Sequence, residues 1–227
     1  MENENYIVAT IKNWNVKIYD EIIKNYPGNW HLITDPHKLT VDNIKSLNPK
    51  YIFFPHWNWI VKKEIYEKYE CVVFHTAPLP YGRGGSPIQN LIMEGIKASP
   101  VCAIKMTSKL DAGPIYASSN ISLAGDLNSI FSRINDAVNE LIVKISSEIP
   151  TPIEQVGEPR TFKRLTPGDN EITAGLKLEE IYDRIRMVDH PDYPRAFIMY
   201  GNIKIELCNA LIDGDSMEAT CLIRKLK

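Results

Sequence analysis

The chain opens on short apolar runs separated by polar, periodic segments. Ile7–Ile11, Trp30–Thr34, Tyr51–Pro55 and Cys71–His75 are rich in β-branched or aromatic side chains and read as strands. Between them, Val16–Tyr26 with Asn15 as its N-cap, Val41–Leu47 behind Thr40, and Val61–Tyr69 carry helical patterning. Strands and helices alternating in this way build a parallel sheet through right-handed crossovers, with helices on its faces. Ser86-Pro87-Ile88-Gln89 combines a capping residue, a proline at the first helical position and a glutamine three residues on, which predicts a helix to about Lys97. Two more strands, Val101–Met106 and Ile115–Leu123, lead to a helix opened by Asp126. Its apolar face is Leu127, Ile130, Phe131, Ile134, Val138, Leu141, Ile142 and Ile145.

The pattern then breaks. Pro150-Thr151-Pro152 and the polar stretch to Asn170 have no period, so residues 151–175 are expected to form a linker. Beyond it Leu178–Val188 reads as a helix. Ala196–Tyr200, Ile203–Asn209 and Met217–Arg224 read as strands joined at Gly201-Asn202 and Asp213-Gly214-Asp215. The expected architecture is α/β: a Rossmann-like, mostly parallel sheet with helices on both faces over residues 1–150, then the linker, then a small α+β module over 176–227.

Composition narrows the class. At 227 residues, 44% apolar and 24% charged, the chain is not collagen-like, low-complexity or disordered. Its 26 basic and 28 acidic side chains leave a net charge of −2, so neither a nucleic-acid nor a membrane partner is expected. No apolar run approaches the ~20 residues of a membrane helix, and the opening MENENYIVATIKNWN lacks the regions of a signal peptide; a cytoplasmic setting is expected. Cys71, Cys102, Cys208 and Cys221 lie far apart with no Cys-x-x-Cys pair, which predicts buried thiols and no metal.

In open α/β sheets, ligands bind beyond the carboxyl ends of the strands. Two such segments stand out. One is His56-Trp57-Asn58-Trp59; the other runs from His75 through Pro78 and Pro80 to Gly82, Gly84 and Gly85, three of the chain's 12 glycines. Such a loop brings backbone close to a ligand, although its glycines form neither GxGxxG nor GxxxxGK[ST]. Taken singly, His75 reads first as a capped surface residue, Asp111 passes as a turn residue, and His56 is read as a group satisfying backbone atoms at its strand end. Lys163-Arg164 and Arg184 with Arg186 read as solvated charge or as a cluster suited to a diphosphate.

Taken together, His75-Thr76-Ala77-Pro78-Leu79-Pro80-Tyr81-Gly82-Arg83-Gly84-Gly85-Ser86-Pro87-Ile88-Gln89 resembles the formyltransferase loop N-x-H-x-S-L-L-P…R-G…P-I-Q. Leu110-Asp111-Ala112-Gly113, with Asp111 36 positions beyond His75, resembles the family's L-D-x-G segment after the next strand. The resemblance spans roughly Tyr51 to Ile145. It implies the catalytic domain shared by methionyl-tRNA, glycinamide ribonucleotide and nucleotide-sugar formyltransferases, with N10-formyltetrahydrofolate as co-substrate and an amine as acceptor. His75 and Asp111 are the implied catalytic pair. The implied folate site joins Phe54, His56 and Trp57 to Pro78, Leu79, Gly82, Arg83, Gly84 and Gly85. Trp57 and Trp59 then fit either half-buried packing or a wall for the pterin ring.

One departure matters. The family's asparagine two residues before the histidine is Val73 here, and losing a preorganised oxyanion donor costs on the order of 3 kcal/mol in the transition state. Asn58, in the neighbouring strand-end loop, is the candidate substitute; Asn90, on a helix, is less well placed. The leading acceptor is a nucleotide-linked amino sugar, because only about sixty residues follow the linker where tRNA formyltransferases carry a further barrel domain. Thr76 and Ala77 mark the subgroup associated with amino sugars of surface glycans. A glycinamide ribonucleotide-type enzyme, a formyltetrahydrofolate hydrolase, and a folate- or nucleotide-binding protein without catalysis are the alternatives. Oligomeric state is open, a homodimer included.

Overall fold

The structure is a computed structural model, and it describes residues 4–226. The chain forms two compact units. One comprises Met1–Arg83, Pro100–Asn120 and Ile134–Arg160, the other Gly84–Ser99, Ile121–Arg133 and Thr161–Lys227.

The first unit is built on strands β1 (Asn5–Ala9), β2 (Asn29–Ile33), β3 (Tyr51–Phe54), β4 (Cys71–Thr76), β6 (Ala98–Lys105) and β7 (Ile115–Ser122), with a short β5 (Tyr81–Gly84) leaving β4. Sheet order is β2-β1-β3-β4-β6-β7. The pairings among β1, β2, β3 and β4 are parallel, and β4 meets β6 antiparallel. The antiparallel step follows from the intervening segment, which returns the chain to the sheet at the end where β4 left it. β3 is buried at all four positions, as a strand covered on both faces must be. Ile7, Ala9, Ile52 and Phe54 share one cluster with Ile44 of helix α2 (Val41–Leu47) and Ile65 of α3 (Lys63–Tyr66). The alternating residues Tyr6, Val8 and Phe53 are buried on the other face, where the Tyr6 hydroxyl donates to Ser146 O of α5 (Leu127–Glu148) at 3.3 Å.

Several element boundaries differ from expectation, each for a local reason. Thr40 caps α2 as predicted, accepting from Asn43 N at 3.2 Å. Helix α1 instead runs Asn13–Glu21 with Lys12 at its cap, and a 3-10 turn, Ile23–Asn25, follows. Asn15 lies inside α1, where its buried amide donates to Thr10 Oγ1 (3.0 Å), Pro55 O (3.3 Å) and His56 Nδ1 (3.0 Å) and so ties two strand ends rather than starting a helix. Of Val61–Tyr69 only Lys63–Tyr66 is helical.

Helix α4 spans Pro87–Met93, short of Lys97, because the chain turns at Gly95 and enters β6 at Ala98. Ser86 does not cap it: at φ 48° its hydroxyl accepts from Leu165 N at 3.1 Å. Asp126 does cap α5, accepting from Ser129 N at 2.9 Å. Residues 151–175, expected as a linker, hold paired structure: Ile153 bridges Ile115, β8 (Arg160–Phe162) pairs with β5, and a 3-10 turn spans Pro167–Asn170. Pairings this short leave no periodic trace in side-chain type.

The second unit contains α6 (Leu178–Arg186) and a sheet ordered β11-β10-β9, from β9 (Ala196–Tyr200), β10 (Ile203–Asp213) and β11 (Ser216–Lys225). Arg186 is 5% exposed, which corrects its reading as solvated charge. It bonds Asp183 Oδ1 (2.6 Å), Leu123 O (2.7 Å) and Gly125 O (2.9 Å). Arg184 donates to Asp169 O, and Lys163 pairs with the Asp169 carboxylate at the surface. Cys71, Cys102 and Cys208 are buried, but Cys221 on β11 is exposed, against expectation. Burial pushes the Cys71 thiol up to about 12 and the Cys102 thiol up to about 11. Among the described residues no helix is long and apolar enough to cross a membrane.

Candidate active site

His75 occupies the penultimate position of β4, opposite Cys102 of β6. Beyond the strand the chain doubles back through Leu79 N to Ala77 O (2.9 Å) and Tyr81 N to Pro78 O (3.1 Å), returning Gly82 to the imidazole. Nε2 of His75 donates to Gly82 O at 2.7 Å. A carbonyl only accepts, so Nε2 carries the hydrogen in this arrangement. Nδ1 lies 3.5 Å from Asp111 Oδ2, and both side chains are largely withdrawn from solvent, at 8% and 13% exposure. Two buried groups of complementary chemistry thus meet at the end of a central strand, brought from positions far apart in sequence.

The Asp111 loop is shaped by its backbone. Asp111 sits at φ 51°, in the left-handed region. A Cβ on Gly113 would lie 1.8 Å from Lys105 O, so only glycine lets the loop pass this close to β6. Sequence reasoning missed the group that holds the loop. Gln155 Nε2 donates to Asp111 O and Gly113 O, both at 2.9 Å. Its Oε1 accepts from Arg83 Nε (3.0 Å) and Nη2 (2.6 Å). Its partners are 72, 44 and 42 residues away, and its segment reads as an aperiodic connector, so no local signal marks it.

The other anticipated residues fall into distinct settings. Phe54 belongs to the apolar core. His56 is half-buried at φ 53° against the Asn15 amide rather than the backbone groups anticipated for it. Burial, with the Lys12 charge, lowers its pKa to about 4. Trp57 packs edge-on to Phe54 (6.0 Å) and Trp59 (5.4 Å), and its buried Nε1 has no hydrogen-bond partner among the described residues. Asn58 is exposed, and no side-chain hydrogen bond brings it to His75 or Asp111. Pro78 is exposed and Leu79 half-buried.

Gly84 and Gly85 closely approach the chain itself: a Cβ on them would meet Phe162 O at 2.7 Å and Arg164 Cβ at 2.5 Å. Asn90 is committed locally, donating to Gly85 O, Ser86 O and Lys163 O. Val73 lies between Phe54 and Ile104 in register. No group of three His, Cys, Asp or Glu side chains among the described residues could hold a metal ion.

A mostly parallel α/β sheet with an imidazole–carboxylate pair at its strand ends is the frame of an acid–base enzyme domain. Residues 167–224 match the family described as the C-terminal domain of methionyl-tRNA formyltransferase. A methionyl-tRNA formyltransferase from Clostridium thermocellum, a solved structure, is 41% identical with a TM-score of 0.89, and the match covers 98% of this chain and 99% of that one. The chain belongs to the formyltransferase family. The methionyl-tRNA formyltransferase of Sulfurihydrogenibium sp. (strain YO3AOP1) is 26% identical over 181 residues, 76% of this chain and 58% of that protein. The chain thus spans a little over half the length of that curated relative. A 4-N formyltransferase from Francisella tularensis shares the fold, with a TM-score of 0.72 at 14% identity, covering 100% of this chain and 99% of that one. The family uses N10-formyltetrahydrofolate as formyl donor.

Proposed function

We infer that the chain transfers the formyl group of N10-formyltetrahydrofolate to a primary amine, and that the amine belongs to a nucleotide-linked amino sugar. The observation that carries the transfer reading is the His75–Asp111 pair, with Nε2–H already directed at a carbonyl oxygen. An amine adding to a formyl carbon places negative charge on the formyl oxygen and leaves a proton to be removed from nitrogen. His75 Nε2–H exchanges the Gly82 carbonyl for that oxygen. Asp111, on the opposite ring nitrogen, orients the imidazole, and its carboxylate is the proposed acceptor of the proton lost from the amine.

Folate supplies the activated formyl carbon when bound. The residues present fit a pterin: the orphaned Trp57 N–H is a buried donor suited to a heteroatom-rich ring, beside the half-exposed face of Trp59. Phe54, edge-on to Trp57, backs that segment together with His56, and Pro78 to Arg83 is the proposed facing loop. Val73 donates nothing, so Asn58, whose amide is free among the described residues, is the proposed second donor to the oxyanion.

The amino-sugar acceptor rests on the absence of excess positive charge, 26 basic against 28 acidic groups, where tRNA binding draws on a cationic field. Methionyl-tRNA is the second reading, favoured by the 41% identity to the Clostridium thermocellum protein. Incubation with N10-formyltetrahydrofolate and a panel of nucleotide-linked amino sugars, with methionyl-tRNA in parallel and a donor-only control, separates them. Formylated sugar supports the proposal, formylated methionyl-tRNA replaces the acceptor, and formate released without an amine indicates hydrolysis. Folate binding without any product supports a non-catalytic binder.

A further inference from the structure

We propose that Gln155 is a positioning residue, whose amide holds both flanks of the His75 imidazole in the arrangement that proton transfer requires. The proposal rests on reading His75 and Asp111 as the reacting pair. On the Nδ1 side, Gln155 Nε2 donates to Asp111 O and Gly113 O, at 2.9 Å each. These carbonyls bracket Ala112, so one amide group pins the peptides that define the turn. Asp111 sits there at φ 51°, in the left-handed region that aspartate adopts more readily than most side chains, and the Gln155 bonds hold it there. From that conformation its carboxylate reaches His75 Nδ1.

On the Nε2 side, Gln155 Oε1 accepts twice from Arg83, the residue that follows Gly82. Gly82 O is the acceptor of the His75 Nε2 hydrogen. A single side chain therefore spans the carboxylate on one ring nitrogen and the carbonyl on the other.

The amide is saturated, with both hydrogens and both oxygen lone pairs engaged. Its orientation is fixed as well. Exchanging its nitrogen and oxygen would set an NH2 against a guanidinium and an oxygen against two carbonyls. The register is set close by, where Ile115 N donates to Ile153 O at 2.7 Å and Ile153 N to Ile115 O at 2.9 Å. This pairing lays residue 155 beside residue 113.

Two variants of the full chain separate positioning from bulk. Gln155→Glu keeps an acceptor for Arg83 but turns an oxygen toward the Asp111 and Gly113 carbonyls. Gln155→Met keeps the volume and loses all four hydrogen bonds. Both should lower kcat for formyl transfer by about tenfold or more while KM for the formyl donor stays within about twofold. The double variant Gln155→Met/Asp111→Asn should be no slower than Asp111→Asn alone, since Gln155 acts through Asp111.

A readout independent of activity is the 15N resonance pair of the His75 imidazole at fixed pH, assigned with His75→Gln. In Gln155→Met it should move toward the values seen in Asp111→Asn. Unmoved His75 resonances overturn the proposal even if kcat falls, because a merely structural loss would lower activity without changing the ring's surroundings. Multiplicative losses in the double variant, or wild-type kcat in Gln155→Glu, overturn it too. If the wild-type chain transfers no formyl group, it is the functional reading that fails, and the resonance comparison alone decides the role of Gln155.

Discussion

Between His75 and Asp111 the demand on each side chain is specific, and substitution should separate chemistry from stability. His75→Ala and Asp111→Ala are expected to remove most turnover with the circular dichroism spectrum unchanged, because both groups stand at a strand end rather than inside the apolar cluster. Near-wild-type activity in either variant would refute the site. Asn58 is a sharper case. If its exposed amide turns to the oxyanion, Asn58→Ala lowers kcat by about a hundredfold with little change in thermal midpoint. An unchanged kcat assigns the missing donor elsewhere. Val73→Asn is a poor rescue, since the strand partners Phe54 and Ile104 offer an amide no hydrogen bond by their side chains.

One glycine controls a whole segment. Gly113→Ala would drive a methyl carbon into Lys105 O, and the clash can be relieved only by moving the β6 end or the Asp111 turn. We expect a loss of about 2–4 kcal/mol in urea unfolding, together with reduced turnover. Retention of both would show that the loop has slack. The same loop shows what sequence does and does not convey. β1, β3 and β4 were legible because central strands of a parallel sheet are apolar on both faces, and Thr40 and Asp126 announced their helices by capping chemistry. That His75 and Asp111 meet in space was legible through motif and spacing. Asn15 misled because the same amide that caps a helix also bridges strand ends. β5 and β8 were invisible, since Tyr81-Gly82-Arg83-Gly84 and Arg160-Thr161-Phe162 carry no alternation. Gln155 was invisible for a deeper reason: two of its three partner residues are held through backbone carbonyls, which have no signature in residue type.

The stability of the molecule as a whole should fall in mild acid. His56 is held neutral by burial, with a pKa lowered to about 4 from 6.5. Below about 6.5 the unfolded chain binds a proton there that the fold refuses, so the stabilisation present above that pH is lost as pH falls toward 4, on the order of 3 kcal/mol in all. Glu70 adds to the trend lower down: burial raises its pKa, but hydrogen bonds from Lys105 and Tyr116 outweigh this and hold it below the usual carboxylate value. Urea midpoints from about pH 7.5 to about pH 4.5 should show the decline, and His56→Asn, which tolerates positive φ and keeps an acceptor for Asn15, should flatten its upper part. An identical decline in the variant would place the acid sensitivity elsewhere. The unequal burial of the cysteines has a practical side. With Cys71, Cys102 and Cys208 enclosed and Cys221 exposed on β11, a maleimide dye added to the native protein should attach once, and four times in denaturant. The chain thus carries a built-in attachment point for a fluorophore or a surface tether, remote in sequence from His75 and Asp111, through which ligand binding can be followed without altering a single residue.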